Sequence, residues 1–343
     1  MSTFRYLPAH HLAGRAHVII DGASRPGTAY TLSHWPHTPT PRELDADLST
    51  EIVRNALRHP ERLPAQVDLV SIDHYDVDGV VALALAVVDG LESEYGPLLV
   101  GAARVGDFDV VTDRHAALIA FTLNALDDPE RSTGPGASAL SGPRDPLEHC
   151  GARAAKAMGI LFELAGDPER FEAWWREEWD AYDSSVRALA DGRAAIEEDP
   201  ALDLAVVRVD PGVTADGRAA WGSATLHRAA VHSATTCLRV ATVAPGRMEF
   251  HYRYESWVRL TSRRPRRRVD LERLAHELTA AETAACRWAF DGAGSVSGSL
   301  HPIGDAASTI EPERFVELVR GELATLDDGP AAWDPYPPTP HRH

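Results

Sequence analysis

The sequence predicts an α/β protein with a parallel sheet flanked by helices and a second, smaller α/β domain with a mixed sheet. In the first half of the chain, short apolar runs typical of strands alternate with helical segments, which is the pattern of a parallel sheet. After about residue 200, three strand-like runs share one short helical segment, which favours a partly antiparallel sheet. The 343 residues exceed the usual size of one domain, so two domains are expected.

The first half supplies strands and helices in alternation. Its predicted strands are residues 17–22, 28–35, 67–72 and 97–105. Its predicted helices lie within residues 39–60, 79–88 and 113–126, the last with Thr112 as its N-cap. Residues 127–146, rich in Gly, Pro and Ser, are predicted to form a loop, and helical segments follow to about Glu198.

The second half is predicted to form the smaller domain. Its strand-like runs are residues 202–210, 237–243 and 247–260, and its short helical segment is residues 224–234. We therefore expect a first domain at residues 1–199 and a second at residues 200–325. Residues 326–343, rich in Pro, Asp and His, are expected to be a flexible tail.

The composition limits the classes of partner. A net charge of −17 argues against a general nucleic-acid or membrane-surface binder, because such proteins rely on basic patches. No apolar run reaches the roughly 20 residues that span a bilayer, so no membrane partner is expected. The three cysteines lack metal-type spacing and follow no hydrophobic signal segment, which favours a cytoplasmic protein without a disulfide framework. The sequence leaves a homodimer open.

The segment "SIDHYDVDGVVALALAV" places three metal-binding side chains after a predicted strand. His74, Asp76 and Asp78 follow the strand directly, and a glycine then lets the chain turn into a buried helix. Ligands of open α/β sheets bind beyond the carboxyl ends of the strands, so these side chains can converge on an ion. A carboxylate majority favours Mn²⁺ or Mg²⁺. The alternative is that Asp-x-Asp-Gly is a plain turn.

A second acidic segment follows the next predicted strand. "VGDFDVVTDRH" supplies Asp107, Asp109, Asp113 and His115. If the two strands are neighbours, these side chains meet the first cluster at one edge of the sheet, which favours a metal site. Two alternatives stay open, because Asp113 would be stabilising in the first turn of a helix and His115 could be a partly buried histidine with an ordinary hydrogen bond.

Both segments resemble motifs of the DHH phosphoesterase superfamily. "HYDVDGVVALALAV" is similar to the first motif of its single-strand exonuclease branch, with His74 where that branch has its first Asp. Asp107 resembles the acid of the second motif, and the segment 113–115 loosely matches the third motif, Asp-His-His. "VRLTSRRPRRRVDLERLAHEL" is similar to the Ser-x-Arg-Ser segment and helix of the DHH-associated substrate domain, and "GAGSVSG" to its Gly-Gly-Gly-His loop.

A closer resemblance covers the whole chain. "LSHWPHTPTP", "SIDHYDVDG", "VGDFD" and "YRYESWV" are similar to segments of an uncharacterised bacterial family, a domain of unknown function. That resemblance implies no activity.

The superfamily resemblance implies a metal-dependent, phosphoesterase-like hydrolase with two Mn²⁺ or Mg²⁺ ions and a small phosphorylated or nucleotide substrate. The implied metal ligands are His74, Asp76, Asp78, Asp107 and His115, of which Asp76, Asp78 and His115 are expected to take part in catalysis. The residues expected to bind the substrate are Ser262, Arg263, Arg264, Gly292 and His34. Two alternatives stay open: a non-catalytic phosphate- or nucleotide-binding protein, and a single-strand exonuclease. The net charge disfavours the exonuclease, since long strands require many phosphate contacts.

Overall fold

Two units make up the described part of the chain. In the computed structural model this part is residues 4–63, 67–127, 145–211, 213, 226–244, 247–263, 268–291, 296, 298–303 and 307–326. The first unit takes in Met1–Trp179 and Arg259–Arg263, and the second takes in Asp180–Val258 and Arg264–His343. Residues 128–144 of the predicted loop and residues 327–343 of the predicted tail lie outside the described residues.

A four-stranded parallel sheet organises the first unit, as the sequence predicts. Its strands are β1 (Arg5–Tyr6), β2 (His17–Ile20), β3 (Thr28–Leu32) and β4 (Leu69–Ser71), in the order β1-β4-β2-β3. Val18 of β2 pairs with Val70 of β4 on one side and with Tyr30 of β3 on the other. All four residues of β2 are buried, as expected of a central parallel strand that is covered on both faces.

Helices pack around this sheet. They are α1 (Ser49–Arg58), α2 (Val77–Val87), α3 (Leu91–Phe108), α4 (Arg114–Asp127), α5 (Pro146–Gly166) and α6 (Glu172–Ala190), and the division between the units falls within α6. Every residue of α2 from Val77 to Ala86 is buried, so this helix lies in the core, as its apolar sequence predicts. A side chain at Gly106 of α3 would clash with Val77, and the glycine therefore allows α2 and α3 to pack closely.

Two local predictions in the first unit are wrong. Residues 97–105, predicted as a strand, belong to α3. A short apolar run does not distinguish a buried helix from a strand, and the buried Leu99, Ala102 and Ala103 follow helical spacing. The N-cap of α4 is Asp113 rather than Thr112, because Asp113 Oδ1 accepts the backbone N–H of Ala116 at 2.9 Å.

A six-stranded mixed sheet organises the second unit. Its strands are β5 (Ala194–Asp199), β6 (Leu204–Val209), β7 (Arg239–Ala244), β8 (Arg247–Tyr252), β9 (Arg287–Phe290) and β10 (Ser299–Ile303), in the order β5-β6-β7-β8-β10-β9. β6 and β7 run parallel, and the other neighbouring pairs are antiparallel. The predicted mixed sheet is confirmed, but β5 was predicted as the end of a helix. Its sequence, "AAIEED", has too few apolar residues to show a period.

Three helices accompany the mixed sheet. They are α7 (Arg228–Ala234), α8 (Glu272–Ala281) and α9 (Pro312–Leu326). The main core of the unit brings Phe250 of the sheet together with Leu274 of α8 and Phe315 of α9. None of the helices in the described part of the chain has the length and apolar character needed to cross a bilayer.

Candidate metal centre

The centre is built around Asp21, which directly follows β2. Asp21 is fully buried and has a positive φ of 47°, a conformation that Asp adopts more readily than most residues. Its Oδ1 accepts a hydrogen bond from Ser49 Oγ at 2.7 Å. Its Oδ2 accepts no hydrogen bond within the described residues, although it is buried. A buried carboxylate oxygen of this kind is costly unless a ligand compensates it.

Two groups of potential ligand atoms share Asp21. In the first group, His74 Nε2 lies 3.7 Å from Asp21 Oδ2 and 2.9 Å from Asp76 Oδ2. In the second group, His34 Nε2 lies 3.5 Å from Asp21 Oδ1 and 3.9 Å from Asp78 Oδ2. Within each group the ligand atoms all lie within 4.8 Å of one another. Asp21 therefore presents one oxygen to each group.

Asp107 lies beside the second group without being one of its members. Its Oδ2 lies 3.2 Å from His34 Nε2, and its side chain is almost fully buried. Asp107 comes from the last turn of α3 rather than from a strand end, so the sequence analysis identified the residue from a wrong secondary structure.

Both histidines are oriented by an oxygen atom on the far side of the ring. His34 Nδ1 lies 2.6 Å from the backbone oxygen of Asp47, and His74 Nδ1 lies 3.0 Å from Asp73 Oδ1. With its proton on Nδ1, each ring would offer the lone pair of Nε2 to an ion on the side of the carboxylates, which is the usual arrangement of a metal-binding histidine. A side chain at Gly22 would place its Cβ 2.6 Å from Asp73 Oδ1, so the close approach of Asp73 requires glycine there.

Asp76 and Asp78 also hold the first turns of helices. Asp76 Oδ1 accepts the N–H of Gly79 at 2.8 Å and caps α2. Asp78 accepts the N–H groups of Ser49 and Thr50 at 2.7 and 2.8 Å, at the start of α1. The turn interpretation of Asp76 is therefore correct for one of its oxygens, while the other faces His74.

Burial raises the pKa values of two carboxylates of the centre. Burial, together with the charges of Asp76 and Asp78, raises the pKa of Asp21 well above its usual range. Burial also raises the pKa of Asp78, although His34 opposes the shift. Burial alone would lower the pKa of His74, but the charge of Asp76 raises it well above the usual value.

Asp76 shows the opposite effect within the same cluster. Burial would raise its pKa, but the interaction with His74 lowers it. Within the described residues, the side chains whose nitrogen atoms lie within 4 Å of the carboxylate oxygens of Asp21, Asp76 or Asp78 in the geometry of an ion pair are His34 and His74. The centre therefore has an excess of negative charge that a cation would balance.

The donor set fits divalent metal ions. Carboxylate oxygens and imidazole nitrogens are ligands of Mn²⁺ and related ions, and the carboxylate majority favours Mn²⁺ over softer metals. Two ligands about 2.1 Å from one ion lie roughly 3.0–3.4 Å apart, close to the separations between these side chains.

We next locate the remaining predicted site residues relative to the two groups of ligand atoms. His115, in the first turn of α4, is half-buried and belongs to neither group of ligand atoms. The backbone N–H of Ser262 binds Asp47 Oδ1 at 3.0 Å, and the half-buried Arg263 ends the segment 259–263 of the first unit. His34, predicted to bind substrate, lies in the second group. Arg264 and Gly292 lie outside the described residues.

The sequence analysis missed Asp21 and Asp73. The signal for Asp21 was present in "HVIIDG", an apolar strand followed by an acid and a glycine at the edge where parallel strands end. Asp73 is visible in the sequence as an acid beside His74. Its role could not be predicted, because that role depends on the direction of the imidazole ring.

The fold and the centre define an α/β protein whose first unit carries a carboxylate and histidine cluster suited to divalent ions. The chain belongs to a family of unknown function, DUF6687, whose model matches residues 2–321. No curated protein and no solved structure matches the chain. The whole-chain resemblance to an uncharacterised family is thus confirmed, whereas nothing in these comparisons links the chain to the DHH superfamily.

Proposed function

We propose that the protein is a divalent-metal-dependent hydrolase, of the phosphoesterase kind, that acts on a small phosphorylated or nucleotide substrate. The observation that supports this most is the position of Asp21, whose two oxygens face two separate groups of ligand atoms. Two divalent ions, one held by Asp21, His74 and Asp76 and the other by Asp21, His34 and Asp78, would supply polarisation of a phosphate ester and a water molecule of lowered pKa. Mn²⁺ is the ion that best fits this donor set.

The residues of the chain have distinct tasks in this proposal. Asp21 holds the two halves of the centre at a fixed separation. His74 and Asp76 form the half that solvent and substrate reach, and Asp73 keeps the His74 ring in place. His34 and Asp78 form the buried half, where Asp78 is fixed by the first turn of α1.

Two further observations support the class of substrate. Residues 74–79 contribute ligands to both groups, and the same segment resembles the first motif of the DHH phosphoesterases. The net charge of −17 disfavours long nucleic acids, which bind through many phosphate contacts, and so favours a small substrate.

The test is hydrolysis by the purified full chain with Mn²⁺ against small phosphomonoesters, phosphodiesters and dinucleotides. We expect Mn²⁺-dependent turnover of at least one compound, and a loss of more than about a hundredfold in Asp21→Asn, because both ions lose a ligand. Asp109→Asn is the matched control, since the residue follows α3 with a φ of 55° that Asn also adopts. The absence of turnover by the parent protein, or equal turnover by Asp21→Asn, would contradict the proposal.

A further inference from the structure

The two halves of the centre differ in their access to solvent. In the half around His34, the side chains of His34, Asp21 and Asp78 are 0% exposed, and that of Asp107 is 4% exposed. In the half around His74, the side chains of His74 and Asp76 are 33% and 31% exposed. Water and a small molecule can thus reach one half from the surface and must open the structure to reach the other.

Each half offers three grouped ligand atoms. They are Asp21 Oδ1, His34 Nε2 and Asp78 Oδ2 in the buried half, and Asp21 Oδ2, His74 Nε2 and Asp76 Oδ2 in the exposed half. Asp107 Oδ2, which lies 3.2 Å from His34 Nε2, adds a further carboxylate beside the buried half. The halves therefore differ in their access to solvent and in the nearby charge, rather than in the number of grouped ligand atoms.

The surroundings of the buried half are held by backbone groups of two chain segments. The first turn of α1 binds Asp78 through two N–H groups, and the segment 259–263 binds both His34 and Asp47. Arg259 N–H donates to the backbone oxygen of His34 at 2.9 Å, and Thr261 N–H donates to Asp47 Oδ1 at 2.7 Å. Release of an ion from this half requires the separation of chain segments that are far apart in sequence.

The exposed half has lighter support. The His74 ring contacts the half-buried Trp35, with ring centroids 5.0 Å apart, and Asp73 holds its Nδ1. Asp76 is fixed through one oxygen by the N–H of Gly79, and its other oxygen lies 2.9 Å from His74 Nε2. An ion can therefore enter and leave this half without movement of a helix.

We propose that the two halves hold ions of different kinds. The buried half, around His34, holds a resident ion that exchanges slowly and fixes the arrangement of α1, α2 and α3. The exposed half, around His74, binds a second ion that exchanges rapidly and is the ion that meets the substrate. The statement about the substrate rests on the proposed function, whereas the difference in exchange does not.

The direct test is the release of Mn²⁺ from the loaded full chain after addition of a chelator. Chelator-bound Mn²⁺ is followed over time in the parent protein. We expect two phases of about one ion each, with rates that differ by roughly tenfold or more, because solvent access controls exchange. Release of both ions in a single phase would overturn the inference.

Matched variants assign each phase to its half. His74→Gln should remove the fast phase and keep the slow one, and His34→Gln should remove the slow phase. Asp76→Asn and Asp107→Asn repeat the comparison with smaller changes, since Asn can still cap α2, and circular dichroism confirms that each variant is folded. Loss of the fast phase in the His34 and Asp107 variants, with the slow phase intact, would overturn the assignment.

Hydrolysis separates this inference from the proposed function. If Mn²⁺ is released in two phases but none of the phosphoesters is hydrolysed, the difference in exchange between the two halves is supported and the proposed hydrolase activity is contradicted. If the protein hydrolyses a phosphoester but releases Mn²⁺ in a single phase, the proposed function is supported and the difference in exchange is contradicted. If both hold, turnover should fall with the loss of the fast ion and return when Mn²⁺ is added back.

Discussion

The acidic centre of the first unit and the buried ion pair of the second unit differ in whether the chain itself balances their charges. In the second unit, Arg253 is almost fully buried, and its guanidinium donates to both oxygens of Glu255 at 2.5 and 3.2 Å. The same group donates to the backbone oxygens of His232 and Thr235 at 3.1 and 2.8 Å. In the first unit, Asp21 faces other carboxylates and has a buried oxygen without a hydrogen bond among the described residues.

The difference is the one expected between a structural polar cluster and a candidate binding site. A buried charge whose partners are all supplied by the chain stabilises the fold as it stands. A cluster of like charges is unfavourable by itself and becomes stable when a ligand of opposite charge binds. Substitutions in the two regions should therefore have opposite effects on the metal-free protein.

The largest loss of stability is expected for Arg253→Met. Removal of the guanidinium leaves Glu255 and two carbonyl groups buried without their donor, which costs about 3–5 kcal/mol. Chemical denaturation measures the change. Arg247→Met, at an exposed position of β8, should stay within about 0.5 kcal/mol of the parent protein. A loss below about 1 kcal/mol for Arg253→Met would show that the ion pair contributes little.

Asp21→Asn should act in the opposite direction when no metal is present. The amide keeps the shape and the acceptor for Ser49 but removes a charge from a buried cluster, so we expect a gain of about 1–3 kcal/mol in chelator. In Mn²⁺ the order should reverse, because the parent protein gains stability from the ions and the variant does not. Thermal unfolding with chelator and with Mn²⁺ measures both effects. Destabilisation of the metal-free variant would contradict the comparison.

Asp47 tests how far the support of the centre extends. Its backbone oxygen accepts His34 Nδ1–H, and its carboxylate is fixed by Thr261 and Ser262. Asp47→Ala should weaken Mn²⁺ binding by about 10–100-fold, as expected when a partner of a ligand is released. Asp45→Ala, which removes an ion pair with Arg259 instead, is the matched control. Calorimetric titration measures the Mn²⁺ affinity of both variants. Equal affinities would show that Asp47 is not needed for Mn²⁺ binding.

Substitution of Glu282 is expected to have the smallest effect on stability. Glu282 is a carboxylate whose hydrogen-bond donors are supplied by the chain. It lies at the end of α8, where Ser308, Thr309 and Trp288 donate to it. Burial would raise its pKa, but these hydrogen bonds lower the pKa of Glu282 to about 2 from 4.5. A lowered pKa means that the stabilisation is complete above 4.5 and is lost as the pH falls through about 2.

Glu282→Gln should therefore be less stable than the parent at neutral pH, by no more than about 1 kcal/mol because solvent screens the charge. The gap should close as the pH falls from 4.5 to about 2. Denaturation curves across that range measure it. A gap that is independent of pH would show that the charge of Glu282 has no part in the stabilisation.

The sequence predicted the fold class and part of the centre. The strand and helix around "SIDHYDVDG" placed His74, Asp76 and Asp78 correctly beyond the sheet, because the strand-end rule depends only on local pattern. The same rule applied to "HVIIDG" would have found Asp21. His34 was assigned to substrate binding, and its place beside Asp21 and Asp78 could not be predicted, since its position depends on Asp47 and on the distant segment 259–263. The run at 97–105 shows the limit of apolar pattern, which does not separate a buried strand from a buried helix.

The most direct test of the central claim is an anomalous difference map from crystals of the full chain equilibrated with Mn²⁺. We expect two peaks roughly 3.5–4 Å apart, one on each side of the Asp21 carboxylate, with His34 at one and His74 at the other. The map shows the ions whether or not a substrate is known. A map without a peak at Asp21, or with one ion that Asp21 does not contact, would contradict the shared metal centre.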